Sequence, residues 1–197
     1  MKLYFNRYTR ATRPRWLLEE LGVPYELVDV DLMAGEHKTE AFLRLHPLGK
    51  VPALVDGEMT MFESAAICLY LADRHLDRGL APPFGAADRG PYYQWMVYSM
   101  SELEPPVARA FYETRKPDPD AAVQAAAREE FEARARVIAD TLADRPWLLG
   151  ERFSAADVMI GAVLTWSERI GLVDNLPTLK AYNQRCIARP AFQAARR

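Results

Sequence analysis

Four short segments carry side chains whose types and spacing could do chemistry. In Phe62-Glu63-Ser64-Ala65, a serine opening a helical stretch can offer its hydroxyl and backbone N–H to a carboxylate. The glutamate before it can take an ammonium. A carboxylate and an ammonium on one carbon make the end of an α-amino acid. The commoner reading is structural, with Ser64 as the helix N-cap and Glu63 complementing the positive end of the helix dipole. In Leu48-Gly49-Lys50-Val51-Pro52-Ala53-Leu54, a proline just before a buried strand has no N–H for the ladder, so it marks an edge or a cis bond. A cis Val51-Pro52 bond would turn the Val51 N–H and C=O outward, where an extended peptide can pair with them. An ordinary strand-entry proline is the local alternative.

Thr9-Arg10-Ala11-Thr12 has the spacing of a Cys-x-x-Cys motif, with hydroxyls replacing both thiols. Such a segment cannot exchange disulfides. A hydroxyl at a helix N-terminus beside Arg10 and Arg13 is a donor suited to a bound thiolate. Thr12 is expected to cap the helix that follows, and Thr9 is harder to explain by capping. Ser154 and Asp157 have capping-box spacing ahead of an apolar run and read as a folding element.

The elements that must position these groups alternate over the first eighty residues. A β-prone run, residues 2–5, leads through a polar turn to a helix near residues 14–21, with Pro14 near its first turn and Gly22 at its end. A second strand spans residues 25–32, with Val28, Val30 and Leu32 on one face. Residues 34–45 suit a loop with a short helix. Two strands flank Asp56-Gly57, a hairpin signal, and a helix covers residues 64–75. The order β-α-β-α-β-β-α fits a small sheet covered by helices.

Ala81-Pro82-Pro83-Phe84-Gly85 has linker composition, and everything after it is helical. Residues 90–115 form one long segment expected to bend at Pro105-Pro106. Its stripe of Tyr92, Trp95, Met96, Ser99, Leu103 and Tyr112 reads as core. Residues 121–142 should bury Phe131, Val137, Ile138 and Leu142. Helical runs at 155–170 and 176–188 complete the pattern. The expected domains are therefore 1–78, a linker at 79–87, and 88–197.

Composition limits the partners. The 197 residues carry 25 Lys+Arg against 27 Asp+Glu, a formal net charge of -2. That removes the electrostatic case for nucleic acid. Two distant cysteines argue against a disulfide scaffold, and three histidines lack metal-ligand spacing, so no metal is expected. No apolar run reaches the ~18 residues of a membrane span. With an arginine at position 7 the N-terminus does not suit a secretory signal, so a cytoplasmic location is expected.

Taken in order, these segments resemble the cytosolic glutathione S-transferase family over nearly the whole chain. The likeness is carried by Trp16-Leu17-Leu18-Glu19-Glu20-Leu21-Gly22-Val23-Pro24-Tyr25-Glu26, by the stretch from Leu48 to Leu54, by Phe62-Glu63-Ser64 and by Phe153-Ser154-Ala155-Ala156-Asp157. The resemblance implies an α/β N-terminal thioredoxin-like domain plus an all-α C-terminal helical domain. It implies glutathione as co-substrate and conjugation of its thiolate to a small, hydrophobic electrophile by a homodimer. Val51 and Pro52 would hold the cysteinyl part, Glu63 and Ser64 the γ-glutamyl end, and His37 and Lys50 the glycine carboxylate. Thr9 falls in the register of a catalytic serine. No cysteine stands at or beside Arg10, and no tyrosine lies in the register of the tyrosine-type members. Tyr8, Arg10 or backbone N–H groups therefore remain alternatives for activating the thiol. A non-catalytic binding or assembly module is the alternative function.

Overall fold

The computed structural model describes residues 1–196 and separates into two compact units. The first comprises Met1–Leu80 together with the C-terminal stretch from Arg189, and the second is Ala81–Ala188.

Among the described residues of the first unit, four strands form one sheet in the order β2-β1-β3-β4. They are β1 (Lys2–Phe5), β2 (Glu26–Asp29), β3 (Ala53–Asp56) and β4 (Met59–Phe62). β1 runs parallel to β2 and antiparallel to β3, and β3 is antiparallel to β4. Side-chain alternation puts Leu3 and Phe5 in the core and leaves Lys2 exposed. β2 ends at Asp29, earlier than its apolar residues suggested, but Val30 just beyond it is buried and its N–H still bonds to the Phe5 carbonyl. The hairpin closes with Asp56 opposite Met59, so its two-residue turn is Gly57-Glu58, with Gly57 at φ 61°.

Helix α1 (Thr12–Leu21) buries Trp16, Leu17, Leu18 and Leu21 and stops at Gly22, whose left-handed backbone sends its N–H to the Leu18 carbonyl. A single 3₁₀ turn, Glu36–Lys38, precedes α2 (Glu40–Leu43). Helix α3 (Ser64–Arg74) buries Ile67, Cys68, Leu71 and Ala72. The last helix, α9 (Pro190–Ala194), packs on α1, with Phe192 edge-on to Trp16 at 4.9 Å between ring centres. Arg189 donates to both carboxylate oxygens of Glu20 at 2.6 and 2.7 Å, and the Trp16 indole N–H donates to the same carboxylate at 2.9 Å. This bidentate geometry is the strong form of an ion pair.

The second unit holds α4 (Arg89–Tyr98), α5 (Glu104–Glu113), α6 (Ala121–Thr141), α7 (Ala155–Arg169) and α8 (Pro177–Ile187). The bend expected at Pro105-Pro106 lies just ahead of them, as a π-helical turn at Ser99–Leu103. Both prolines fall in the first turn of α5, where a missing N–H costs least. The stripe on this segment is core as expected from Tyr92 to Leu103, whereas Tyr112 is exposed. In α6 the buried face is Ala127, Phe131, Ala135 and Ile138. Val137 is half-exposed rather than buried, because that helical spacing rotates it away from the core.

Ser154 and Asp157 close a capping box at the start of α7. The Asp157 carboxylate is fully buried and takes two donors on each oxygen. Leu148 N–H and Tyr182 O–H reach one at 3.0 and 2.9 Å, and Ser154 N–H and O–H reach the other at 2.8 and 2.9 Å. Burial pushes the carboxyl above its usual range against the pull of these donors.

Candidate functional site

The sheet register converges on one edge. Tyr4 pairs with Ala53, and Ala53 with Phe62. Next to that row lie Phe5, the last residue of β1, Pro52, just before β3, and Glu63, just after β4. From this edge emerge the turn bearing Thr9, the segment bearing Lys50, and the start of α3.

Residues 6–11 form a compact turn that leads into α1. Thr9 is half-buried; its hydroxyl donates to the Asn6 carbonyl at 2.7 Å and accepts the Ala11 N–H at 3.2 Å. Thr9 therefore does the turn-capping work expected of Thr12. Thr12 is already the first residue of α1, and its hydroxyl donates back to the Thr9 carbonyl at 3.0 Å. Tyr8, beside it, is 82 % exposed. Arg10 is exposed, but Arg13 is buried and donates to the Ser64 hydroxyl oxygen at 3.4 Å. One guanidinium thus ties the first turn of α1 to the start of α3.

Ser64 is buried as the first helical residue of α3, one place later than the N-cap position expected for it. Glu63 occupies the cap with φ 73° and ψ 111°, and among the described residues it alone combines a side chain with positive φ. Holding a residue there costs ~1–3 kcal/mol, and such strain gathers at ligand sites. Glu63 stays exposed, with no side-chain bond to the helix it opens. Because Ser64 accepts from Arg13, its own hydroxyl proton is directed elsewhere.

The Val51–Pro52 peptide bond is cis. Val51 is half-buried, Pro52 buried and Lys50 exposed. Gly49, before them, has φ 56°, and a Cβ there would meet the His37 carbonyl oxygen at 2.5 Å, so only glycine fits this approach. His37 is half-buried on the 3₁₀ turn, and its Nδ1 is buried without a hydrogen-bond partner.

Two further side chains at this edge, Lys38 and His46, were not singled out from sequence. Lys38 donates through Nζ to the carbonyls of Leu48 and Gly49 at 3.1 and 3.2 Å, although a lysine in a charged run reads as surface. His46 is buried, its Nδ1 accepts the Leu48 N–H at 3.3 Å, and its ring lies 4.6 Å from that of Phe62. The signal available for it was a histidine three residues before a turn glycine. Among the described residues, no group of three His, Cys, Asp or Glu is placed to hold a metal ion, and no helix is long and apolar enough to cross a membrane.

Family models match at two places: the glutathione S-transferase N-terminal domain over residues 1–73 and its C-terminal domain over residues 93–190. Glutathione S-transferase GstA of Escherichia coli O157:H7 is 30% identical over 99% of this chain and 96% of its own length. Among solved structures, a ternary complex of BphK, a bacterial glutathione transferase, superposes with a TM-score of 0.85 at 32% identity, covering 100% of this chain and 98% of that one. A sphingomonad glutathione S-transferase complexed with glutathione gives a TM-score of 0.84 at 35% identity, covering 100% and 97%.

Proposed function

Since the chain belongs to the glutathione S-transferase family and is a transferase of the glutathione thiol, we propose that the sheet edge just described is where it holds and activates glutathione. The observation that carries this reading is the register that aligns Tyr4, Ala53 and Phe62, which brings the adjoining Pro52 and Glu63 to one edge of the sheet. Glu63 takes the γ-glutamyl ammonium, and Ser64, its proton left over by Arg13, donates to the carboxylate on the same carbon. The Val51 backbone beside Pro52 pairs with the cysteinyl unit. His37 and Lys50 receive the glycine carboxylate, which the unpartnered His37 Nδ1 suits.

The chemistry is attack of the glutathione sulfur on an electrophile. The thiolate is the nucleophile, and a free thiol has a pKa of ~8.5. Lowering it by ~2 units takes ~2.7 kcal/mol in favour of the thiolate. One charge-assisted hydrogen bond, at ~1.5–3 kcal/mol, is of that size. Thr9 supplies it by turning its proton from the Asn6 carbonyl to the sulfur, with buried Arg13 adding positive potential. The exposed Tyr8 beside Thr9 supports a small, hydrophobic electrophile.

A homodimer fits the same reading, with Met59, Met61 and Phe62 on the hairpin and Asp73, Arg74 and His75 at the end of α3 as contacts; two-fold pairing is the commonest soluble assembly. Light scattering should give twice the subunit mass. Two buried free cysteines support a reducing, cytoplasmic setting.

Retention on immobilised glutathione followed by a conjugation assay tests the function. Ser64→Ala should weaken glutathione binding about tenfold or more, since a charged acceptor loses its donor. Retention without conjugation of any electrophile would leave a binding module. Unchanged affinity in Ser64→Ala would displace the γ-glutamyl site.

A further inference from the structure

We propose that His46 is a positioning residue for the glutathione-binding segment, and that its protonation releases that segment and weakens binding. The proposal rests on the site assigned above.

The turn that delivers Lys50, Val51 and Pro52 is built on His46 in two ways. The Gly49 N–H bonds to the His46 carbonyl at 2.7 Å, which closes residues 46–49 as a β-turn. Inside that turn the Leu48 N–H bonds to His46 Nδ1 at 3.3 Å, a side chain serving the backbone two residues on. The His46 N–H is tied to the Phe42 carbonyl at 2.9 Å, so the residue cannot drift. Its ring packs on Phe62, the residue before Glu63. One imidazole therefore spans the two halves of the proposed site.

The inner bond has a fixed protonation requirement. Nδ1 accepts only in a neutral imidazole; with both nitrogens protonated the ring has donors alone. A protonated His46 would point N–H at N–H, and Leu48 would lose its partner. The outer carbonyls stay pinned by Lys38, so the turn opens on its inner side, next to Lys50.

The neighbouring charges divide. Burial holds the His46 value below its ordinary one, and Lys50 on the same segment and Lys38 on the 3₁₀ turn push the same way. Glu63, at the start of α3, pushes upward. His37, whose carbonyl backs Gly49, is the other imidazole of this edge. A ligand ammonium on Glu63 would cancel the upward push and favour neutral His46 further. By linkage, binding and protonation then oppose each other.

The test measures affinity for S-methylglutathione, which has no titrating thiol, from about pH 8 to about pH 5, where histidine is the ordinary side chain that changes charge. Wild-type affinity should hold at the upper end and fall as pH drops through the His46 value, below its ordinary ~6.5. His46→Asn keeps an acceptor in the turn and cannot titrate. It should match wild type at the upper end within about threefold and stay flat below. His46→Leu fills the space without accepting and should bind about three to tenfold more weakly at every pH. A pH profile in His46→Asn that follows wild type would overturn the proposal and move the titration to His37 or elsewhere, and full affinity in His46→Leu would overturn it as well. The Leu48 amide resonance, followed by NMR without ligand, separates the two levels. If it shifts with the His46 ring while no pH gives glutathione binding, the assigned site fails and the effect on binding fails with it, and only the opening of the turn stands. If it does not shift, the switch fails.

Discussion

Replacing Asp157 should destabilise the protein far more than the loss of a surface helix cap, for which ~1 kcal/mol is usual. Each carboxylate oxygen serves one backbone N–H and one hydroxyl. In Asp157→Ala the Ser154 and Tyr182 hydroxyls can rotate toward other acceptors. The Ser154 and Leu148 N–H groups cannot, because their backbones are fixed by α7 and by the chain ahead of it. Two buried donors without acceptors, at ~1–3 kcal/mol each, give ~4 kcal/mol. That is a large share of the ~5–15 kcal/mol that holds an ordinary protein folded. For a chain of this size it corresponds to a melting point lower by about 8–16 °C. Asp157→Asn separates the cause from simple loss of volume. Its amide keeps one oxygen for two of the donors and turns an NH₂ toward the others, where a hydroxyl can accept but a backbone N–H cannot. One orphan instead of two should give about half the loss. Calorimetry of the three proteins at one pH measures the series, and glutathione titration well below the melting point should find unchanged affinity in each. A fall of under about 3 °C in Asp157→Ala, or an Asn variant no better than Ala, would refute the accounting of donors.

Three further outcomes follow. Glu63→Gly and Glu63→Ala should both lose glutathione binding, but the glycine variant should be the more stable by about 1 kcal/mol in urea denaturation, since only glycine holds φ 73° without strain; equal stabilities would mean that the backbone there is relaxed. Thr9→Val should cost ~1–2 kcal/mol through the lost Asn6 and Ala11 bonds. It should also raise the bound thiol pKa by more than one unit, about 1.4 kcal/mol, followed by thiolate absorbance; a raised pKa without lost stability, or the reverse, would split the two roles. Burial pushes the Cys68 thiol up to about 12, so a thiol reagent at mildly alkaline pH should label it only after unfolding, and rapid labelling of the native chain would contradict its burial.

The first unit could be read from sequence because its elements are bounded by residues with local meaning. β1 falls on its β-prone run and β4 beside the hairpin signal at Asp56-Gly57, and Gly22 ends α1 by its left-handed backbone. The cis bond, one of two options for Val51-Pro52, is the one found. What escaped were features set by groups distant in sequence. Ser64 looks like a cap until the strand before it is seen to deliver Glu63 in a strained backbone. Arg13 reads as a charge beside the Thr9 hydroxyl, and its bond to Ser64 emerges only once α3 is placed against it. His46 was hidden by the same effect, since its function depends on a turn and on Phe62, sixteen positions away. The burial of Asp157 depends on Tyr182, which local periodicity cannot bring near.

The seating of α9 on α1 also sets an order of events at the ribosome. Trp16 and Glu20 are made early, but their partners Phe192 and Arg189 follow only after the whole of the second unit, about 170 residues and ~8–35 s of synthesis later. During that interval Trp16 lacks its ring partner and Glu20 its guanidinium. The unit encoded first is thus completed only after the helical unit, whose residues are contiguous and can close while its neighbour still waits for α9.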